Sequence, residues 1–194
     1  GANTADSYNK FTLFNGYCPK KGCDPSIINN LGSTPTYTPI MRYAEVLLSY
    51  LEALNESQPS TIDQNILDLT INDIRNRVKL TDIKKADVPT QELVREAIRK
   101  ERRVELAFEG LRYYDVLRWE IAEKELNHTF TGVKLSDDPN ARNYRGSGTA
   151  ASPVDENMYY QFEKRTWSSH NRYFPIPQND LNVNKNLKQN TGYN

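Results

Sequence analysis

Between residues 39 and 126 the apolar positions recur with the 3.6-residue period of an α-helix rather than the two-residue period of a strand. The pattern predicts four helices, which span about 39–56, 61–78, 91–109 and 111–126. Helices that follow one another through short turns pack as antiparallel pairs. The sequence therefore predicts a mainly α fold built from two helical hairpins.

The apolar residues of each predicted helix define the side that we expect to face the core. In the first helix these residues are Tyr43, Ala44, Leu47, Leu48, Leu51 and Leu54. In the second helix they are Ile62, Ile66, Leu69, Ile74 and Val78. In the third helix they are Leu93, Ala97, Ile98, Val104 and Phe108. Trp119, in the fourth helix, is expected to be a core aromatic.

Capping residues set the predicted helix ends. Thr38 is followed by Pro39, a pair that offers an N-cap and then proline at the first helical position. Thr90 offers an N-cap for the third helix. Gly110 stands where that helix should end, since glycine adopts the left-handed conformation at little cost.

The residues on either side of the four helices lack helical periodicity. Residues 1–38 are predicted to be an irregular segment, with a short strand possible at about Lys10 to Phe14. Residues 127–194 are predicted to be a loop-rich segment that completes the same domain as the hairpins. Within it, Met158 to Trp167 can form a strand, and a short turn is expected at Asn179 to Leu181.

Charge and hydropathy exclude several classes of partner. The 194 residues carry no formal net charge, so no overall field attracts nucleic acid or an anionic membrane. The mean hydropathy is −0.77, and no apolar run approaches the length of a membrane span. Arg145 to Gly148 lacks the strand and helix that a phosphate-binding loop requires. His128 and His170 stand alone, with no cysteine or serine nucleophile arranged around them, so a catalytic triad is not expected.

The two cysteines, Cys18 and Cys23, enclose a short segment that contains Pro19 and Gly22. A disulfide between them would close a small loop and add about 2 kcal/mol. Free thiols are the alternative. A metal site is not expected, because the two distant histidines lack the spacing of metal ligands.

Arginine and glutamate are concentrated at the end of the third helix. Glu105 and Glu109 lie one turn apart, so they could present a pair of catalytic carboxylates. The surrounding arginines would lower their pKa values, which suits ion pairing and not a general acid. We therefore predict a structural ion-pair network of Arg99, Arg102, Arg103, Glu105, Glu109, Asp115 and Arg118. We assign no catalytic residue.

Aromatic residues in the irregular C-terminal region are the candidates for ligand binding. Flat aromatic rings can stack on the apolar faces of sugars, while neighbouring polar groups bond the hydroxyls. The predicted ligand-binding residues are Tyr144, Tyr159, Tyr160 and Trp167. Packing within the fold is the competing explanation for each of them.

Three motifs, in order along the chain, closely resemble the signature of the SusD/RagB family. The first is Met41-Arg42-Tyr43-Ala44-Glu45-Val46-Leu47-Leu48, followed by Glu52-Ala53-Leu54-Asn55-Glu56. The second runs from Glu101 through Asp115 to Trp119. The third is Tyr173-Phe174-Pro175-Ile176-Pro177-Gln178-Asn179-Asp180-Leu181, with a closing Gln189-Asn190-Thr191-Gly192-Tyr193 in which the family usually has proline at the Thr191 position.

The resemblance implies tetratricopeptide-like helical hairpins with long irregular loops and a few short strands. It also implies a protein without catalysis or cofactor that binds oligosaccharides or polysaccharides at the bacterial surface. The ligand would pass to a SusC-like TonB-dependent outer-membrane transporter. An alternative is a helical interaction module that binds the transporter and a non-glycan nutrient such as a peptide. Nucleic acid is not an expected partner.

Members of that family are longer lipoproteins of the outer membrane of Bacteroidetes. The chain starts at Gly1 without a signal peptide or a lipid-anchoring cysteine, so we expect it to be a C-terminal portion. On this expectation the full-length protein is surface-exposed, and its membrane attachment is a lipid anchor outside these residues.

Overall fold

The computed structural model describes residues 21–22, 39–134 and 154–193. These residues fall into two compact units, one within Lys21–Tyr114 and the other within Asp115–Asn194. Helices dominate the described residues, and the strands form a single two-stranded sheet. The prediction of a mainly α fold with a few short strands is therefore confirmed. The division at residues 38 and 126 within one domain stays a prediction.

Helix α1, Tyr43–Ser57, begins later than predicted. Its N-cap is Arg42, whose backbone is extended, so the helix does not start at Pro39. Its inward face carries Ala44, Leu47, Leu48 and Leu51, as predicted. Tyr43 was expected in the core but is exposed. The reason is its position as the first residue of the helix, at the edge of the buried face.

The second predicted helix is divided into several parts. A 3₁₀ turn, Pro59–Thr61, precedes α2, Gln64–Leu67, and a π-helical turn, Asp68–Asn72, leads into α3, Asp73–Arg77. The π turn changes the rotation between successive residues, because its hydrogen bonds span five residues. As a result Leu67 and Ile71 are buried, whereas Leu69 and Val78 are exposed, contrary to the prediction.

Helix α4, Gln91–Glu105, starts as predicted, with the Thr90 hydroxyl accepting a hydrogen bond from the Leu93 backbone amide at 3.3 Å. It ends earlier than predicted, and Phe108 and Gly110 both have positive φ angles, 65° and 80°. Phe108 lies beyond the helix end and is exposed. Leu93 and Val104 are also exposed, because Val94, Ile98, Glu101 and Arg102 occupy the buried face instead.

The core of the first unit lies between α1, the broken second helix and α4. Its buried apolar members are Ala44, Leu47, Leu48, Leu51, Ile62, Leu67, Ile71, Ile74, Val88, Val94, Ile98 and Leu106. Partly buried side chains, among them Leu54 and Ala97, pack against this cluster. Because these side chains are closely packed, the core fixes the positions of α1 and α4.

The fourth predicted helix is two helices, α5, Leu111–Arg118, and α6, Ala122–Leu126. The interruption lies at Trp119 to Ile121, where Glu120 has a φ angle of 57°. Trp119 is half-buried, and the Arg118 guanidinium lies 4.8 Å from its ring centroid. A left-handed residue at position 120 is incompatible with a continuous helix.

The second unit contains an antiparallel hairpin of β1, Thr129–Lys134, and β2, Tyr159–Lys164. The strand predicted within Met158 to Trp167 is thus β2, while β1 was not predicted. A 3₁₀ turn, Ser169–Arg172, follows the sheet, and α7, Gln178–Val183, stands where a short turn was expected. The possible strand at Lys10 to Phe14 lies outside the described residues.

Candidate functional site

Two nearly buried carboxylates lie at the C-terminal end of α4. The side chains of Glu105 and Glu109 are 10% and 7% exposed. Glu105 accepts a hydrogen bond from Nη1 of Arg42 at 2.8 Å and two from Nη2 of Arg77, both 2.8 Å. Glu109 accepts from Nε of Arg42 at 2.9 Å and from its Nη2 at 2.7 Å. Each carboxylate therefore has cationic partners.

Arg42 is the residue that joins the two carboxylates. Its Nη2 also donates to the backbone carbonyl of Glu105, at 2.9 Å. The planar guanidinium has donors in a fixed fork, which allows it to bond several oxygens at once. Because Arg42 is the N-cap of α1, this one side chain connects the start of α1 to the end of α4.

Lys21 adds a second cation at the same helix end. Its Nζ donates to the carbonyl oxygens of Glu105, at 2.6 Å, and Ala107, at 3.1 Å, and also bonds the Glu109 carboxylate. A helix end presents carbonyls without intrahelical partners and a partial negative charge. Lys21 therefore acts as a C-terminal cap for α4. Its flanking cysteines, Cys18 and Cys23, lie outside the described residues, so their disulfide stays a prediction.

The network favours the ionised form of Glu109. Burial acts to raise the pKa of this carboxyl, but hydrogen bonds from Arg42 and Lys21 outweigh it and hold the pKa below its usual value. The same contacts raise the pKa of Arg42, with the bond to Glu109 as the main cause. A carboxylate that stays ionised and bonded suits structural pairing and not proton donation.

The depressed pKa of Glu109 predicts a loss of stability in acid. A group whose pKa is lower in the folded state contributes stability above its unfolded pKa, about 4.3, and loses it as the pH falls through the folded value. We expect the free energy of unfolding to fall as the pH is lowered from about 5 to 3. Urea unfolding at several pH values measures it, and the Glu109→Gln variant should show a weaker pH dependence. An equal dependence in the variant would contradict this role.

The other predicted members of the ion-pair network do not share one site, and they have different partners. Arg102 donates to the Ser49 hydroxyl at 3.0 Å, and its Nε lies 3.9 Å from a Glu52 carboxylate oxygen. Asp115 is buried and accepts from Nε of Arg118 at 2.9 Å, within the second unit. Arg99 and Arg103 each have an interaction partner. The structural role of the whole set stays a prediction.

Four basic partners of this network were not predicted from the sequence. They are Lys21, Arg42, Arg75 and Arg77, and Arg75 pairs with Glu101 at 2.7 Å. Arg42 lies 67 positions from Glu109, so helical spacing rules could not connect them. The one signal was the place of Arg42 just before the apolar stripe of α1. Glu56 and Arg95 form a further pair, at 2.7 Å, which lowers the pKa of Glu56.

The predicted ligand-binding aromatics differ in exposure. Tyr144 lies outside the described residues. Tyr159 is 38% exposed at the start of β2, whereas Tyr160 is 7% exposed and packs against Val154 and Phe162. So small an exposed surface offers a sugar ring no flat platform, which favours packing within the fold as the role of Tyr160.

Trp167 is half-buried, and the side chain of Asn127 holds its backbone. The Asn127 amide nitrogen donates to the Trp167 carbonyl at 3.1 Å, and its oxygen accepts from the Trp167 backbone amide. The strand between Tyr159 and Lys164 alone spans about 17 Å at 3.3–3.4 Å a residue. Tyr159 begins this strand, and Trp167 follows its other end by three residues.

A second group of aromatic and charged side chains, not predicted, lies on the hairpin. Phe130 is directly opposite Glu163 in the strand register. The Arg165 guanidinium lies 4.5 Å from the Phe130 ring centroid, and the His128 ring centroid lies 4.2 Å from it. Arg165 donates from Nε and Nη2 to the two oxygens of Glu163, each at 2.8 Å. We call Phe130, Glu163 and Arg165 the hairpin cluster.

His170 has a serine beside it, contrary to expectation. The Ser168 hydroxyl lies 2.8 Å from Nδ1 of His170. Ser168 is also the N-cap of a 3₁₀ turn and forms a reciprocal capping box with Asn171. The His170 ring packs edge-on against Tyr193, and a Cβ on Gly192 would lie 2.5 Å from the His170 Cβ. These contacts give Ser168 and His170 a role in holding the C-terminal segment.

Metal clusters and membrane-spanning helices are both absent from the residues that the structure describes. No group of three or more histidine, cysteine, aspartate or glutamate side chains in residues 21–22, 39–134 and 154–193 could hold a metal ion. Within the same residues, none of the helices combines the length and apolar character needed to cross a bilayer.

The sequence profile of the SusD family matches residues 1–193 of the chain. A curated relative, SusD-like protein P2 of Formosa agariphila, is 34% identical over 117 residues, which is 58% of this chain and 22% of that protein. The crystal structure of a SusD-like protein from Bacteroides fragilis is similar, with 33% identity, a TM-score of 0.59 and coverage of 79% of this chain and 25% of that one.

A SusD superfamily protein from Parabacteroides distasonis has the same fold. It is 22% identical, with a TM-score of 0.54 and coverage of 88% of this chain and 30% of that one. The matched part is thus between about a fifth and a third of the length of each of these relatives.

Proposed function

Because the chain belongs to the SusD family, we propose that it is part of a non-catalytic protein that binds oligosaccharides or polysaccharides at the bacterial surface. The bound glycan is passed to a SusC-like TonB-dependent transporter in the outer membrane. The whole protein is held at that membrane by a lipid anchor. The observation that carries the proposal is the family match along the chain, together with the shared helical fold.

The state of the paired carboxylates supports binding over hydrolysis. A glycosidase needs one carboxyl that can donate a proton beside a second that attacks or activates water, across an open cleft. Glu105 and Glu109 are nearly buried and engaged by Arg42, Arg77 and Lys21. Opening these ion pairs would leave charges unpaired in a poorly hydrated place. The network therefore supports a structural role for Glu105 and Glu109.

The aromatic side chains near the hairpin support a glycan as the ligand. Tyr159 has an exposed ring, and Asn127 fixes the backbone position of Trp167. Rigid aromatic residues offer contact area with little loss of conformational freedom. Two such residues at separate points of the same segment suit an extended chain of sugars better than a single ring.

Affinity electrophoresis of the 194-residue chain through gels that contain single polysaccharides tests the proposal. We expect at least one polysaccharide to retard the chain, and a Tyr159→Ala, Trp167→Ala double variant to lose most of that retardation. Tyr50→Ala is the matched control, because Tyr50 is an exposed tyrosine in the other unit. Equal retardation of the double variant would place the glycan contacts at other residues, and absence of retardation by every polysaccharide would contradict glycan binding by this chain.

A second candidate function, binding of the transporter and a non-glycan nutrient such as a peptide, is favoured by the outward face of α1. Tyr43, Val46 and Tyr50 are exposed at helical spacing there. A shallow depression of about 400 Å³ runs along this face between Met41 and Tyr50. Exposed apolar surface of this kind is typical of protein contacts. Co-purification with the transporter that Tyr50→Ala weakens, without retardation by any polysaccharide, would favour this candidate.

A further inference from the structure

We propose that the hairpin cluster, Phe130, Glu163 and Arg165, binds one neutral sugar ring through two adjacent hydroxyl groups. This inference rests on the proposed function and adds the class of glycan to it. None of these three residues was among the predicted ligand-binding residues. The cluster lies on an antiparallel hairpin, where residues directly opposite each other place their side chains on the same face.

The contacts bring an aromatic ring and a charged pair together. Phe130 faces Glu163 across the strands, and Arg165 lies over the Phe130 ring at 4.5 Å. The side chains of Glu163 and Arg165 are 42% and 48% exposed, so solvent reaches both. Phe130 is half-buried and also contacts Phe162, with 6.4 Å between the ring centroids. These neighbours therefore hold the ring in place, while the ion pair stays accessible to solvent.

The paired charges match the hydrogen bonding of a diol. Arg165 uses Nε and Nη2 for Glu163, so the donors of Nη1 point away from that fork. Each Glu163 oxygen keeps a further lone pair that can accept from a hydroxyl. Two neighbouring hydroxyls can then accept from Arg165 and donate to Glu163 at once. The Phe130 ring, with Arg165 and His128 at 4.5 Å and 4.2 Å from its centroid, would hold the guanidinium in place and would not itself stack on the sugar.

The same pairing discriminates against acidic sugars. A uronate or sulfate group at Nη1 of Arg165 would lie beside the negative charge of Glu163, and it could reach the Nε–Nη2 fork only by displacing Glu163. Like charges in close contact are unfavourable, and the bidentate pair is the preferred geometry of this guanidinium. The ion pair holds the pKa of Glu163 below its usual value, so the repulsion persists at neutral pH. Neutral glycans are thus the expected class.

The test compares neutral and acidic polysaccharides by affinity electrophoresis. Amylopectin, galactomannan, laminarin and xylan are the neutral probes, and alginate and polygalacturonate are the acidic ones. We expect the chain to be retarded by at least one neutral probe and by neither acidic probe. Arg165→Gln should raise the dissociation constant for that neutral probe about tenfold, the effect of losing one charged hydrogen-bonding group.

Glu163→Gln gives the sharper result, because it removes the negative charge and releases the arginine fork. This variant should bind the neutral probe more weakly and gain retardation by alginate or polygalacturonate. Phe130→Leu, which keeps an apolar side chain but removes the ring against which Arg165 lies, should also weaken neutral binding. Arg172→Gln is the matched control, since Arg172 forms an exposed pair with Glu120 in the same unit. Circular dichroism verifies that each variant is folded.

The possible outcomes distinguish a failure of the proposed subsite from a failure of the proposed function. Unchanged binding of the neutral probe by Arg165→Gln would overturn the subsite, as would binding of acidic probes alone by the unmodified chain. If Tyr159→Ala, Trp167→Ala loses binding while Arg165→Gln keeps it, glycan binding stands and the subsite is wrong. If no probe retards the unmodified chain, the proposed function fails and the subsite fails with it.

Discussion

Replacing Arg42 with methionine should lower the free energy of unfolding by about 3 kcal/mol. Arg42 bonds both Glu105 and Glu109, whose side chains have little contact with water. Methionine keeps much of the aliphatic length but leaves both carboxylates without their shared partner. Removing one member of a buried pair costs more than the pair itself contributes, because the remaining charge stays desolvated.

The remaining cations limit that effect. Arg77 still holds Glu105, and Lys21 still holds Glu109. Arg42→Lys should give an intermediate loss, since lysine supplies the charge without the planar fork. Urea-induced unfolding followed by circular dichroism measures all three proteins.

An exposed ion pair provides the matched control for Arg42. Arg172 and Glu120 pair at 2.7 Å, with side chains 45% and 67% exposed. Arg172→Met should cost less than about 1 kcal/mol, because exposed pairs are screened by solvent. Equal losses for Arg42→Met and Arg172→Met would show that the network at the end of α4 contributes no more than a surface contact.

Asn72→Ala should lower the free energy of unfolding by about 2 to 3 kcal/mol. Asn72 is fully buried at the end of the π turn. Its amide nitrogen donates to the Ile83 carbonyl at 3.0 Å, and its oxygen accepts from the Ile83 backbone amide at 2.8 Å. The same nitrogen donates to Asp68 at 2.8 Å. Alanine removes all three bonds and leaves the backbone groups of Ile83 without this partner.

Hydrogen exchange gives a local readout for the same substitution. The Ile83 amide should exchange faster in Asn72→Ala, beyond the change in global stability. Gln64 also bonds this segment, accepting from the Lys85 backbone amide at 2.7 Å, so that amide should stay protected. Asn182, exposed in α7, is the control, and Asn182→Ala should change stability by no more than about 0.5 kcal/mol. Unchanged exchange at Ile83 would contradict the contact.

Local signals in the sequence predicted the features that depend on neighbouring residues. Thr90 was recognised as the cap of α4, and the leucine stripe of α1 was recognised as a buried face. The π turn has no comparable signal, so the predicted period continued through it and placed Leu69 inside. The third helix is predicted to reach about residue 109 because the apolar residues continue, although the chain takes left-handed φ angles at Phe108 and Gly110.

The features that could not be predicted from the sequence depend on contacts between residues far apart in the chain. Arg42 and Glu109 meet only because the packed core places the start of α1 beside the end of α4. Strand β1 is short, and its ladder with β2 is interrupted by two register shifts, so alternation along it is weak. Its partner begins 25 residues after it ends, counting from Lys134 to Tyr159. The hairpin cluster depends on that pairing and therefore could not be predicted from local sequence patterns.

Gly192 and His170 constrain how the end of this chain can vary through evolution. A side chain at position 192 would meet the His170 Cβ and would also need a φ angle of 92°, which L-residues rarely adopt. Only glycine at position 170 would remove that Cβ, and it would leave the requirement for a positive φ angle unchanged. The two positions are thus coupled asymmetrically: histidine can be exchanged while glycine stays, but an exchange of glycine remains strained whatever residue stands at position 170.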